Sequence, residues 1–208
     1  MSTVGRNGLR LGAAGDVFLE EDEVKRLCML LNKVEVGSKQ YRVLVMYLFS
    51  CATALRIGDA LAVKWGNLDV SRDPIVLCMK MQKVKKPLYV PLFPLAESML
   101  EFATAGDLNN VEKENHIFHQ YGKQDINETL RELAKMAGID KYLTYHSSRR
   151  TFATLANANG VPIQTQKQYM GHSSFRNTER YIHWSPTLAE QSAKKVKLFD
   201  VKELLKKK

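Results

Sequence analysis

"YRVLVMYLFSCATAL", residues 41–55, is apolar nearly all the way round a helical wheel, so it reads as a helix buried on every side. A helix of that kind needs others around it, and the flanking sequence supplies them. "FLEEDEVKRLCMLLN", from Phe18, puts acidic residues in a first turn with Val24, Leu27, Leu30 and Leu31 at helical spacing behind them. A short helix is expected at "GDALAVKW", and others at residues 95–103, 125–137, 148–159 and 163–170, with Gly138 and Gly160 as C-terminal stops. Between them the period changes. "PIVLCMKMQKVKKPLYVPL", residues 74–92, has β-prone ends around a lysine cluster and predicts strand, basic turn, strand. The expected fold class is α+β: a mostly α-helical domain with a small antiparallel β-sheet, closing in a lysine-rich helix.

Residues 1–17, rich in Gly, Arg and Asn without periodicity, read as a flexible linker ahead of a domain over residues 18–190, with a basic tail at 191–208. The chain's 208 residues suffice for one well-packed domain, and 45% apolar with 25% charged content is that of an ordinary globular protein. A formal charge of +9 points to a polyanionic partner, nucleic acid before membrane. Seven lysines against Asp200 and Glu203 give residues 191–208 a charge of +5, leaving +4 for the preceding 190. Such a tail reads equally as a solvated end or as a contact for DNA or a partner. Cys28, Cys51 and Cys78 are far apart in apolar contexts, which predicts buried thiols in a reducing compartment and argues against a disulfide frame or zinc site. With no apolar leader at "MSTVGRNGLRLG" and no run approaching a membrane span, the expected location is cytoplasmic, nucleoid-associated if bacterial.

The polar motifs are ambiguous one at a time. Arg56 in "ATALRIGD" reads either as a helix-end arginine paired to Asp59 or as an anion ligand. "HSSRRTFAT" sets His146 three residues before Arg149, on one face of a helix start or in a capping turn. Lys83, Lys85 and Lys86 suit a charged hairpin tip, His172 a helix cap, and Tyr181 a core position. "HIFH" reads as a buried strand, because no cysteine or acid cluster joins His116 and His119 to make a metal site. Walker loop, dinucleotide fingerprint and nucleophile elbow are all missing from the sequence.

As a set the motifs suit one chemistry. A phosphodiester attacked by a phenolate gathers charge on its non-bridging oxygens, and two guanidiniums stabilise that charge with bidentate hydrogen bonds, without magnesium. A phenol with an ordinary pKa of about 10 needs cations and a base beside it, and the departing alkoxide needs a proton that a hairpin lysine can deliver.

The order "TALRIGD", "KVKKPLYVPL", "HSSRRTFAT", "GHSS" and "TERYIHW" closely resembles the tyrosine recombinase (phage integrase) family from about Phe18 to Trp184. The resemblance implies that Arg56 and Arg149 clamp the scissile phosphate, Lys83 protonates the leaving 5′ oxygen, and His146 assists proton transfer. His172 would bond the phosphate and Tyr181 would attack it, giving a 3′-phosphotyrosyl intermediate with no cofactor or metal. It also implies double-stranded DNA and other recombinase subunits as partners, a tetramer in the synaptic complex, and integration or excision of a mobile element as the role. Lys85, Lys86, Arg150 and Arg176 are expected phosphate neighbours. A type IB topoisomerase-like relaxing enzyme and a catalytically silent DNA-binding regulator are the alternatives. Where relatives often have "TGLR", Glu and "RH", this chain has Ala54, Asp59 and Arg149–Arg150, read as a small steric change, a retained hydrogen-bond anchor, and either an added DNA contact or a supporting position. Relatives usually carry a helical DNA-clamping domain ahead of the catalytic one, so the chain is expected to be the catalytic fragment of a longer integrase, with a naturally short member as the alternative. Leu198 and Phe199 in the tail are expected to dock on a neighbouring subunit in the assembled complex, or on their own subunit in the monomer.

Overall fold

The computed structural model describes residues 17–83, 85–104 and 111–171. Helix α2 (Lys39–Thr53) is its axis: from Val43 to Thr53 every side chain is buried. Ser38 starts the helix, its Oγ accepting the Tyr41 N–H at 3.2 Å. Four other helices enclose it: α1 (Glu21–Leu30), α4 (Pro94–Ala103), α5 (Lys123–Met136) and α6 (Ser147–Ala158). The Tyr41 hydroxyl donates to Phe102 O at 3.1 Å, tying the start of α2 to the end of α4.

The short helix α3 (Ile57–Ala62) leads from α2 towards a three-stranded antiparallel sheet in the order β1 (Leu68–Asp69), β2 (Val76–Lys80), β3 (Pro87–Pro91). Leu77 pairs with Val90 and Lys80 with Pro87, so the hairpin ends beside the lysine cluster. Leu88 and Val90 face the core while Pro87 and Tyr89 face out. Helix α7 (Ile163–Met170) packs on β3 and α6, and the Tyr169 hydroxyl donates to Pro91 O at 2.6 Å.

Several elements differ from the sequence expectation. Phe18 and Leu19 lie ahead of the helix, the Leu19 N–H donating to Thr151 Oγ1 on α6 at 2.9 Å; α1 starts later, where Glu23 accepts the Glu20 N–H at 2.7 Å. The "GDALAVKW" helix stops at Ala62 because Val63 is extended and Trp65–Asn67 form a 3-10 turn. "HIFH" makes a single bridge, Lys64 to His116, rather than a strand, although Ile117 and Phe118 are buried as expected. Of the cysteines only Cys51 is buried; Cys28 is half-buried and Cys78 exposed, because Cys78 faces solvent on β2. The tail at 191–208 lies outside the described residues, as do residues 1–16.

Ala54 caps α2 in the left-handed region, at φ +57°, with its N–H on Ser50 O at 2.9 Å. The difference between alanine and the glycine seen in relatives is therefore conformational rather than a matter of bulk. A Cβ in that region costs about 1–2 kcal/mol. Against it, glycine loses about 0.4–1 kcal/mol through the unfolded chain. Ala54→Gly should therefore stabilise the protein by up to about 1.5 kcal/mol, seen as a higher urea midpoint at unchanged slope. An unchanged or lower midpoint would contradict it.

Candidate functional site

The ends of three elements meet at one place. α2 is capped by Ala54, α7 ends at Met170, and the β2–β3 hairpin turn begins at Met81. Arg149, on the first turn of α6 and only 3% exposed, reaches between the two helix ends. One guanidinium N–H donates to Ala54 O through Nη1 and another to Met170 O at 2.9 Å through Nη2. Helix C-termini present unpaired carbonyls and the negative end of the dipole, so a buried cation there is compensated twice.

Arg56, the residue before α3, is half-buried on the same spot. Its Nη1 lies 3.9 Å from Asp59 Oδ2 and 3.8 Å from Met81 Sδ. The pairing with Asp59 is thus long, and the same carboxylate holds a second partner. Asp59, 2% exposed, accepts the Gln82 N–H at 2.7 Å through Oδ1. That bond fastens the hairpin turn to α3 one residue before Lys83. The turn closes through Lys85 N–H to Met81 O at 3.0 Å and Met81 N–H to Lys86 O at 2.9 Å, with Lys85 at φ +54°. Lys83, Lys85 and Lys86 are all exposed at its tip.

His146 precedes α6 and is held from both sides. The Tyr145 N–H donates to Asn127 Oδ1 at 2.8 Å, and the Tyr145 hydroxyl hydrogen-bonds Ser50 Oγ on α2. The Ser147 hydroxyl donates to Thr144 O at 2.6 Å and therefore accepts from the Tyr47 hydroxyl, also at 2.6 Å. Burial pushes both phenols up, so Tyr47 and Tyr145 stay protonated and act as hydrogen-bonding struts. The imidazole of His146 is lowered from its ordinary value, first by partial burial and then by the charges of Arg150, Arg149 and Arg56. It is therefore neutral at pH 7 and able to accept a proton.

Arg56, His146 and Arg149 are thus brought together, and Lys83 is on a turn fastened beside them. Arg150 is half-exposed beside His146. His172, Arg176 and Tyr181 lie outside the described residues, and Gly171, the residue before His172, adjoins the cluster. Sequence reasoning missed Met81, Gln82, Ser50 and Tyr145. The hydroxyl-rich "YHSS" was the only signal for any of them, since a backbone amide such as that of Gln82 carries no residue signature.

The chain matches the model described as the phage integrase family over residues 17–187. It is 27% identical over 144 residues to tyrosine recombinase XerD of Halalkalibacterium halodurans, covering 65% of this chain and 47% of that one. It is 24% identical over 188 residues to tyrosine recombinase XerC of Pediococcus pentosaceus, covering 86% and 61%. The chain thus spans about half the length of the curated relatives it matches. Among solved structures it resembles XerA recombinase with a TM-score of 0.67, at 23% identity over 88% of this chain and 66% of that one. The catalytic domain of bacteriophage HP1 integrase gives 0.58, at 23% identity over 85% and 93%.

Gly171 shows why the sequence has glycine before His172. It sits at φ +59°, and a Cβ there would overlap the Met81 thioether. Gly171→Ala should cost about 1–3 kcal/mol, measured by urea unfolding, and Met81→Ala should reduce that cost when the two are combined. An equal cost in both backgrounds would rule out the overlap as its cause.

Proposed function

Because the chain belongs to the phage integrase family, we propose that it is the catalytic part of a site-specific DNA recombinase, cutting and rejoining strands through a 3′-phosphotyrosyl intermediate. One observation carries the reading: Arg56, His146 and Arg149 converge where α7 ends and the lysine hairpin is fastened.

Arg56 and Arg149 stabilise the charge that develops on the scissile phosphate, each guanidinium permanently ionised and planar. Tyr181 attacks phosphorus through its phenol oxygen; the bond to the 5′ oxygen breaks, and Lys83 gives that oxygen its proton. His146, neutral beside three arginines, takes the phenol proton, and His172 bonds a non-bridging oxygen. The energy of the diester passes into the phosphotyrosyl bond, so rejoining requires no other input.

Double-stranded DNA and further copies of the chain, four in the synaptic complex, are the proposed partners, with Lys85, Lys86, Arg150 and Arg176 contacting phosphates. Residues 18–190 form the catalytic unit, following a linker at 1–17, and residues 191–208 dock on a neighbouring subunit. No helix among the described residues is long and apolar enough to cross a membrane. The proposed setting is cytoplasmic, and the proposed role is integration or excision of a mobile element.

Supercoiled plasmid incubated with the protein in EDTA and stopped with SDS should be relaxed and carry covalently linked protein, and Tyr181→Phe should abolish both. If wild-type protein gave neither, or the adduct survived in Tyr181→Phe, the assigned chemistry would fail. Efficient relaxation without exchange between cognate sites would favour a topoisomerase instead.

The same adduct gives a pH test. His146 must be neutral to accept a proton, and its folded-state value is lowered, so the rate should hold down to about pH 6.5 and fall only below it. His146→Gln should slow the reaction and remove that acid limb. A limb unchanged in the variant would assign it to another group.

A further inference from the structure

We infer that the groove between β3 and α7 is a second contact for duplex DNA, seating the sugar–phosphate backbone beside the scissile position. The inference rests on the recombinase reading and adds a surface on α7 to it.

The groove encloses about 510 Å³. Lys86 and Tyr89 stand on the hairpin wall, and Gln164, Lys167 and Gln168 on the α7 wall. The last three share one face of the helix by their i, i+3 and i+4 spacing. Among the described residues, none of those lining the groove is acidic. Ammonium, amide and phenol groups all donate hydrogen bonds, and lysine and glutamine are among the side chains that position a phosphate backbone without reading its sequence.

Its location points to the same ligand. Met81 and Gly171 close the inner end, and the Met81 sulfur is 3.8 Å from the Arg56 guanidinium. A strand with a phosphate on Arg56 therefore has the groove as its continuation. The walls are also fixed: Tyr169, beside Gln168, bonds Pro91 O at 2.6 Å and stacks on Phe152 at 5.4 Å, which locks α7 against the end of β3. At the outer lip the Arg72 Nη1 donates to the Tyr89 hydroxyl at 3.1 Å, adding a cation whose Nε is paired with Asp69.

The test uses the full chain carrying Tyr181→Phe, so that binding is read without covalent trapping, and a labelled duplex oligonucleotide titrated across salt concentrations. Removing one phosphate contact should lower the slope of log K against log salt by about 0.9. Lys86→Ala and Lys167→Ala should each reduce it by that amount and the double variant by about twice as much. Lys167→Arg should preserve it, and Lys33→Ala on the α1–α2 connection should leave it unchanged. A slope equal to the parent's in Lys167→Ala would overturn the inference, whatever Lys86→Ala shows. So would a lowered melting temperature of Lys167→Ala with an unchanged slope, which would make Lys167 a support of the fold and not a DNA contact. Either result, obtained while wild-type protein still forms its Tyr181 adduct, would leave the recombinase reading standing; absence of that adduct would sink the reading itself.

Discussion

A guanidinium with 3% exposure fixes where the rest of the molecule must be. Removing that charge from water costs several kcal/mol unless its N–H groups find acceptors. For Arg149 those acceptors include the carbonyls of Ala54 and Met170, which end two helices far apart in sequence. α2 must therefore end in a turn that aims Ala54 O inward, which explains a left-handed conformation at a residue that disfavours it. α7 must end just as close, and it does so at Gly171, whose φ of +59° favours glycine and where a Cβ would overlap the Met81 thioether. The same few ångströms hold Arg56. Packing of the core and assembly of the cationic site are thus one construction.

The sheet joins that construction through a single carboxylate. Asp59 is buried between Arg56 and the Gln82 amide, so the α3 turn and the lysine hairpin move together. Aspartate is a methylene shorter than the glutamate common in relatives, yet it reaches the amide at 2.7 Å, which fulfils the expectation of a retained anchor. On the other side, Tyr47 and Tyr145 bind the start of α6 to α2 through serine hydroxyls, and this holds His146 where partial burial, and after it the charges of three arginines, keep it neutral.

The central helix was legible because an apolar run of that length has no exposed face to offer. α7 was legible to the residue because Pro162 and Gly171 bracket it. The hairpin was legible from its change of period, although β1, two residues long, is too short to show alternation. Cys78 was misjudged because "VLCMK" does not reveal which of its alternating positions face solvent until the pairing with β3 is known. The candidate arginines, histidine and lysine stood out through their motif order, whereas the bonds that position them run to backbone carbonyls and amides, which sequence does not mark. The groove beside α7 was hidden for a related reason: Lys86 and Lys167 are 81 positions apart in the chain and become neighbours only through the packing of α7 on β3.

The most direct measurement is on Arg149→Lys, comparing backbone amide spectra and DNA cleavage with wild type. An ammonium keeps the charge but lacks the planar fork that spans two carbonyls. Amide shifts should change together at the end of α2 and the end of α7, stability should fall by about 1–3 kcal/mol, and Tyr181 adduct formation should disappear. A variant that kept wild-type stability and cleavage, or whose amides changed at one helix end only, would contradict the view that Arg149 joins the fold to the site.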